Sequence, residues 1–152
     1  MELFARNDEV AALEDGLPHA QGVARLVLKA TLAWHLRQRD GARARELATA
    51  ARLLLAQTGA QGDVIGEADA RLWRARLDLT EGEIHWLLND LDLAGALAQQ
   101  ALLEFEHLGD ACGGFDAHWL QSWIAAARGD VARQQLELAH CMAQAHAGID
   151  PL

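Results

Sequence analysis

The sequence has no tyrosine, one serine (Ser122), one lysine (Lys29), two prolines, two cysteines and three phenylalanines. Val, Ile and Thr are also scarce. Strands draw on β-branched and aromatic residues, so this shortage excludes a sheet protein. Cys112 and Cys141 have no CxxC spacing, which excludes a zinc ribbon or a thioredoxin-type centre and fits a reducing cytoplasm. Ser122 lies in Gln121-Ser122-Trp123, without the strand-turn-helix elbow of a serine hydrolase. No phosphate-cradling Gly loop and no H-E-x-x-H is present. No apolar run approaches the roughly 18 to 20 residues of a membrane helix. The opening MELFARNDEV lacks the basic-then-apolar order of a signal peptide. Positive charge is short too: Lys+Arg total 13 against 22 Asp+Glu, a net charge of -9. That balance argues against nucleic acid and against an anionic membrane surface as partners. The expected compartment is the cytoplasm.

Alanine and leucine dominate what is there. Both are strong helix formers, and an all-α chain is expected. At 152 residues, the chain is the size of one domain with one sizeable core. Gly, Asn, Asp and Pro clusters punctuate it at Gly16-Leu17-Pro18, Arg39-Asp40-Gly41, Thr58 to Gly66, Asn89-Asp90, Gly109 to Gly114, Arg128-Gly129-Asp130 and Gly148 to Pro151. Helices are expected over 7–14, 18–38, 42–58, 67–88, 92–108, 114–128 and 131–147. Pro18 suits a first turn, where its missing N–H costs nothing. Gly59, Gly109 and Gly148 suit the left-handed position just past a helix end.

The sequence also repeats. Residues 42–59 (ARARELATAARLLLAQTG) align without a gap on 92–109 (DLAGALAQQALLEFEHLG). Leu47 falls on Leu97, Ala48 on Ala98, Ala51 on Ala101, Leu55 on Phe105 and Gly59 on Gly109. The spacing marks one helix face, with small Ala sites for close approach and large sites beside them. A weaker third copy runs from Gly129-Asp130-Val131-Ala132-Arg133 to Gly148, with its Leu positions slipped. The stretch Asp40 to Leu47, the Gly129-Asp130 turn and the ending Leu108-Gly109-Asp110 resemble tetratricopeptide repeats. The closest flavour is the long, degenerate repeat found ahead of diguanylate or adenylate cyclase output domains in bacterial regulators. The resemblance covers roughly residues 20–148. It implies a short α-solenoid of about three antiparallel helix hairpins. The copies are spaced by about 40 to 50 residues, against 34 in the tetratricopeptide family. The family's Trp-Leu-Gly-Tyr signature and closing Pro are missing.

All five tryptophans fall in the first helix of an expected hairpin: Trp34, Trp73, Trp86, Trp119 and Trp123. The resemblance implies that first helices line a concave surface. Trp119 and Trp123 share a helix face with Phe115, and His118 is adjacent. Trp is enriched at binding hot spots because it joins a large apolar area to one N–H donor. Trp34, Trp73, Trp86, Phe115, His118, Trp119 and Trp123 are thus candidates for an aromatic groove taking a peptide or small ligand. The competing reading is helix–helix core filling. Trp73 and Trp86 are 13 residues apart, roughly 220° around a helix, so they cannot line one stripe together.

Two Glu-x-x-His pairs, Glu104/His107 and Glu137/His140, provide the enzyme-class alternative. A di-metal carboxylate bundle uses two such pairs plus a Glu from each of two further helices. Glu83 is one donor, but helices 18–38 and 114–128 contain no Glu. The competing reading is exposed polar faces. His140-Cys141 with His146 is a weaker metal suggestion of the same kind. Arg37, Arg39, Arg43, Arg45 and Arg52 form the one locally basic region, read as a solvated face or a dock for an acidic segment. Arg71, Arg74 and Arg76 are expected to face it across the array.

The last helix ends without a polar capping helix, which an end repeat ordinarily needs. The expectation is a single repeat domain over 1–152, the N-terminal part of a longer protein. A second copy covering that surface, a homodimer, is the alternative. The function implied is non-catalytic: a regulatory repeat domain in bacterial signalling that binds a protein or peptide, with no cofactor and no metal.

Overall fold

A computed structural model describes residues 6–57 and 65–147, with side chains described to Ala145. Gly59, Gly148 and the His146 side chain, named above, lie outside the described residues. The described chain is all-α, without a strand: α1 (Asn7–Gly16), α2 (Gly22–Leu36), α3 (Gly41–Gln57), α4 (Glu67–Leu87), α5 (Leu91–Leu108), α6 (Ala111–Ala127) and α7 (Val131–Ala147).

Two starts differ from the sequence expectation. Pro18 sits in the turn between α1 and α2, and α2 begins only at Gly22, whose φ of 53 resets the chain direction. α6 begins at Ala111 and takes Gly113 and Gly114 inside it. Of the two, Gly113 serves packing, not a turn. A Cβ on Gly113 would stand 2.3 Å from Cδ1 of Phe105 on α5.

Three successive turns share one construction. Asn89, Gly109 and Gly129 have φ of 62, 70 and 72, the left-handed conformation that lets the chain leave a helix. The next residue, an aspartate each time, bonds back through its N–H: Asp90 to His85 O, Asp110 to Phe105 O and Asp130 to Ala125 O, all at 2.9 Å. The same aspartates then cap the following helix. Their carboxylates accept the N–H groups of Leu93, Gly113 and Arg133. Asp40 does this for α3 through Arg43 N. An Asp cap of this kind stabilises a helix by about 1 kcal/mol.

α2 packs on α3, α4 on α5 and α6 on α7. α3 also meets α4, α5 meets α6, and α4 touches both α2 and α6. The start of α4 lies by the end of α5, where Arg71 bonds Glu104. The end of α4 lies by the start of α5, where Gly82 sits against Ala94 and Leu97.

Two apolar clusters result. One joins Leu26, Leu32 and Ala33 of α2 to Leu47, Ala48 and Ala51 of α3, with Leu77 of α4. The other joins Ala94, Ala98, Ala101 and Phe105 of α5 to Ala117, Leu120 and Ile124 of α6, with Ala75 and Leu79 of α4 and Trp34 of α2. The aligned sites Ala48/Ala98 and Ala51/Ala101 are all fully buried, so the two copies turn the same face inward. Ala44 and Ala94 extend that match by one turn. Phe105 is fully buried, and cutting a side chain of that size to Ala costs about 3–5 kcal/mol.

Candidate functional site

Phe115, Trp119 and Trp123 recur every fourth residue along α6, opposite the face that buries Ala117, Leu120 and Ile124. A four-residue spacing drifts slowly round a 3.6-residue helix. The drift carries Trp123 to the edge where α4 passes. There its ring meets Trp86, with centroids 4.7 Å apart and planes at 40°. Trp119 lies 5.7 Å from Trp123, and Phe115 stacks 6.3 Å from Trp119. Four partly buried rings thus form one continuous line across α6 and the end of α4. Each such ring pair contributes about 0.5–1.5 kcal/mol beyond its buried area.

The other sequence candidates do not join this line. Trp34 is only 2% exposed, and the Arg37 guanidinium lies 3.6 Å above its ring. Trp73 packs on the α2–α3 cluster, away from Trp86, as their angular offset requires. His118 is one residue before Trp119, about 100° away round the helix, and it turns to α7 instead. Its Nδ1 lies 2.6 Å from Oε2 of Glu137, and its ring stacks on His140 at 4.6 Å.

The Glu-x-x-His pairs do not assemble a metal centre. α5 and α7, which carry them, make no contact with each other. Glu104 is engaged by Arg71, and Glu137 by His118 and by Arg133 Nε at 2.5 Å. His107 is exposed. Among the described residues, no three His, Cys, Asp or Glu side chains converge on a metal position. Cys141 is buried, with its sulfur 3.8 Å from Phe115 O. Burial and the nearby Glu137 charge push its thiol up to about 11, so it stays a thiol at neutral pH.

The basic region divides. Arg39, Arg43 and Arg45 are exposed, as a solvated face requires. Arg37 and Arg52 are not part of such a face. Arg37 Nε meets Glu83 at 2.6 Å with both side chains buried, and Gln38 Nε2 also donates to Glu83. Arg52 bridges Asp78 at 2.6 Å and Glu81 at 2.9 Å. Nor do the arginines of α4 face this region. Arg71 goes to α5, exposed Arg74 lies 3.9 Å from Glu67 of its own helix, and Arg76 goes to Asp110 at 2.7 Å and Asp116 at 2.9 Å. Arg76 also lies 4.8 Å over the Phe105 ring. α4 therefore offers carboxylates to α2 and α3, and guanidiniums to α5 and to α6 with its cap. Sequence reasoning missed these pairs because Arg37 and Glu83 are 46 residues apart, and Arg76 and Asp116 are 40 apart. Helical periodicity carries no signal at that range.

No described helix is long and apolar enough to cross a membrane. No family model matches the chain, and no curated protein or solved structure matches it either.

Proposed function

We propose that the chain is a non-catalytic, tetratricopeptide-like repeat module that binds a protein or peptide partner on the line Phe115–Trp119–Trp123–Trp86. In this reading α2/α3, α4/α5 and α6/α7 are three antiparallel hairpins stacked as a short solenoid. Support comes from the pairing of neighbouring helices, the shared turn construction and the matched buried alanines of α3 and α5. The observation that carries the binding reading is the continuity of four partly buried rings on one surface. Isolated exposed apolar residues are ordinary, whereas a contiguous aromatic patch is the anatomy of a hot spot. The module acts by occupancy of that face, as the regulatory part of a signalling protein, and any catalysis belongs to another domain.

Cys112 and Ala126 lie one heptad either side of Trp119 and are exposed, so they flank the line without belonging to it. A photo-crosslinking residue at either position, expressed in the native cells, should give one defined protein adduct. Trp119→Ala should abolish that adduct while the helical circular dichroism stays unchanged. No adduct, or the same adduct from exposed Leu103 on α5, sinks the proposal.

A further inference from the structure

We propose that a cleft where the starts of α5 and α7 meet the end of α6 binds a small zwitterion of the free α-amino acid class. The cleft holds about 270 Å³. Arg128 and Arg133 line it together with Asp92, Asp130, Gln99 and Gln121. Two guanidiniums and two carboxylates line it, and Arg133 is also paired through Nε with buried Glu137 at 2.5 Å.

The state of each group selects the ligand. Arg128 Nη2 carries both of its bonds, to Asp92 Oδ1 at 2.7 Å and to Leu91 O at 2.9 Å. Its Nη1 and Nε have no partner among the described residues. Asp92 is fully exposed, and an ion pair of that kind is weak and easily exchanged. A simple anion on the free Nη1 and Nε edge of Arg128 would sit beside the negative Asp92, and a simple cation on Asp92 would sit beside the positive Arg128. A zwitterion replaces the one exposed pair by two, its carboxylate on Arg128 and its ammonium on Asp92. The guanidinium fork suits a carboxylate geometrically. Arg133 Nη2 donates to Gln121 Oε1 at 3.1 Å, and Gln121 Nε2 donates to Gln99 Oε1 at 3.3 Å. This chain fixes the inner wall, while Ile124 and Ala125 supply an apolar patch for a ligand side chain.

Gly95 is a second, independent sign. It lies inside α5, where glycine costs about 1 kcal/mol relative to alanine. A Cβ there would stand 3.7 Å from Arg128 Nη2, in ordinary contact, so close packing does not demand glycine. Its lack of a side chain keeps the space beside the guanidinium open.

Calorimetric titration of the full chain with the common free amino acids tests the proposal. At least one should bind saturably. Its Kd should weaken tenfold or more in Arg128→Gln, in Asp92→Asn and in Gly95→Leu. The last variant fills the cleft, keeps every charge and favours the helix, so it separates loss of the site from loss of the fold. The N-acetylated amino acid, acetate and inorganic phosphate should not bind. The proposal is overturned if no amino acid saturates below about 10 mM, the weak end of specific binding. It is also overturned if acetate or phosphate binds as well as the amino acid and Asp92→Asn leaves binding intact, since the cleft is then a plain anion site.

Discussion

Glu137 of α7 stands 2.6 Å from His118 of α6, with 1% of its side chain exposed. It occupies the place of a leucine. Counting seven residues on from the capping aspartates Asp40, Asp90 and Asp130 gives Leu47, Leu97 and Glu137. At this distance from its capping aspartate α7 carries a carboxylate, flanked by His118 and Arg133. Leaving a buried hydrogen-bonding group without its partner costs about 1–3 kcal/mol, whereas replacing both partners by apolar groups is often close to neutral. Glu137→Leu should therefore destabilise by roughly 2 kcal/mol even though it places leucine where Leu47 and Leu97 stand. His118→Leu/Glu137→Leu should recover most of that loss. Urea unfolding checks both. A double variant no more stable than Glu137→Leu alone would show that the pairing is not the cause.

Gly113 and Gly114 are neighbours on α6 and should respond oppositely to alanine. At Gly113 the new methyl meets three atoms of the buried Phe105 ring within 2.6 Å, and α5 and α6 must part. Overpacking of this kind costs about 1–3 kcal/mol, enough to outweigh the gain in helix propensity of about 1 kcal/mol. At Gly114 the nearest atom is Nε2 of Gln144, 3.2 Å away at the end of a flexible side chain. Gly114→Ala should be neutral or stabilising. Phe105→Leu should relieve Gly113→Ala in a double-mutant cycle, and strict additivity would contradict the contact.

Burial raises the carboxyl groups of Asp116 and Asp78 above the ordinary aspartate value, although Arg76 and Arg52 are within ion-pair distance and pull the other way. The folded state therefore holds these protons more tightly than the unfolded state. Between the ordinary value, near 3.8, and each raised folded value, stability falls as pH rises through these groups. Acidification from neutral pH should make wild type gain relative to Asp116→Asn, which cannot take up that proton. Urea midpoints of the two proteins across the acid range read the difference directly. A gap that is constant, or that closes on acidification, contradicts the sign.

Helix content and the inward face of α3 and α5 were legible because both are local: propensity, the spacing of Ala48, Ala51, Ala98 and Ala101, and the Asp-bearing turns. Gly113 and Gly114 misled because a glycine pair reads the same whether it opens a turn or admits a neighbouring ring. Only the approach of Phe105 tells the two apart. The stripe Phe115, Trp119 and Trp123 was visible as spacing. Its continuation onto Trp86 depends on where α4 passes α6, and no sequence window contains both. His118 was misplaced for a related reason. Adjacency to Trp119 in sequence puts it a quarter-turn away on the helix, toward α7 and Glu137.

α4 gives Ala75 and Leu79 to one apolar cluster and Leu77 to the other. Its carboxylates hold α2 and α3, and its guanidiniums hold α5, α6 and the α6 cap. Near its end the same helix carries Trp86, the last ring of the aromatic line. It is therefore a shared axle. Any rotation of α4 has to shift its seats in both apolar clusters at once, Ala75 and Leu79 in one and Leu77 in the other.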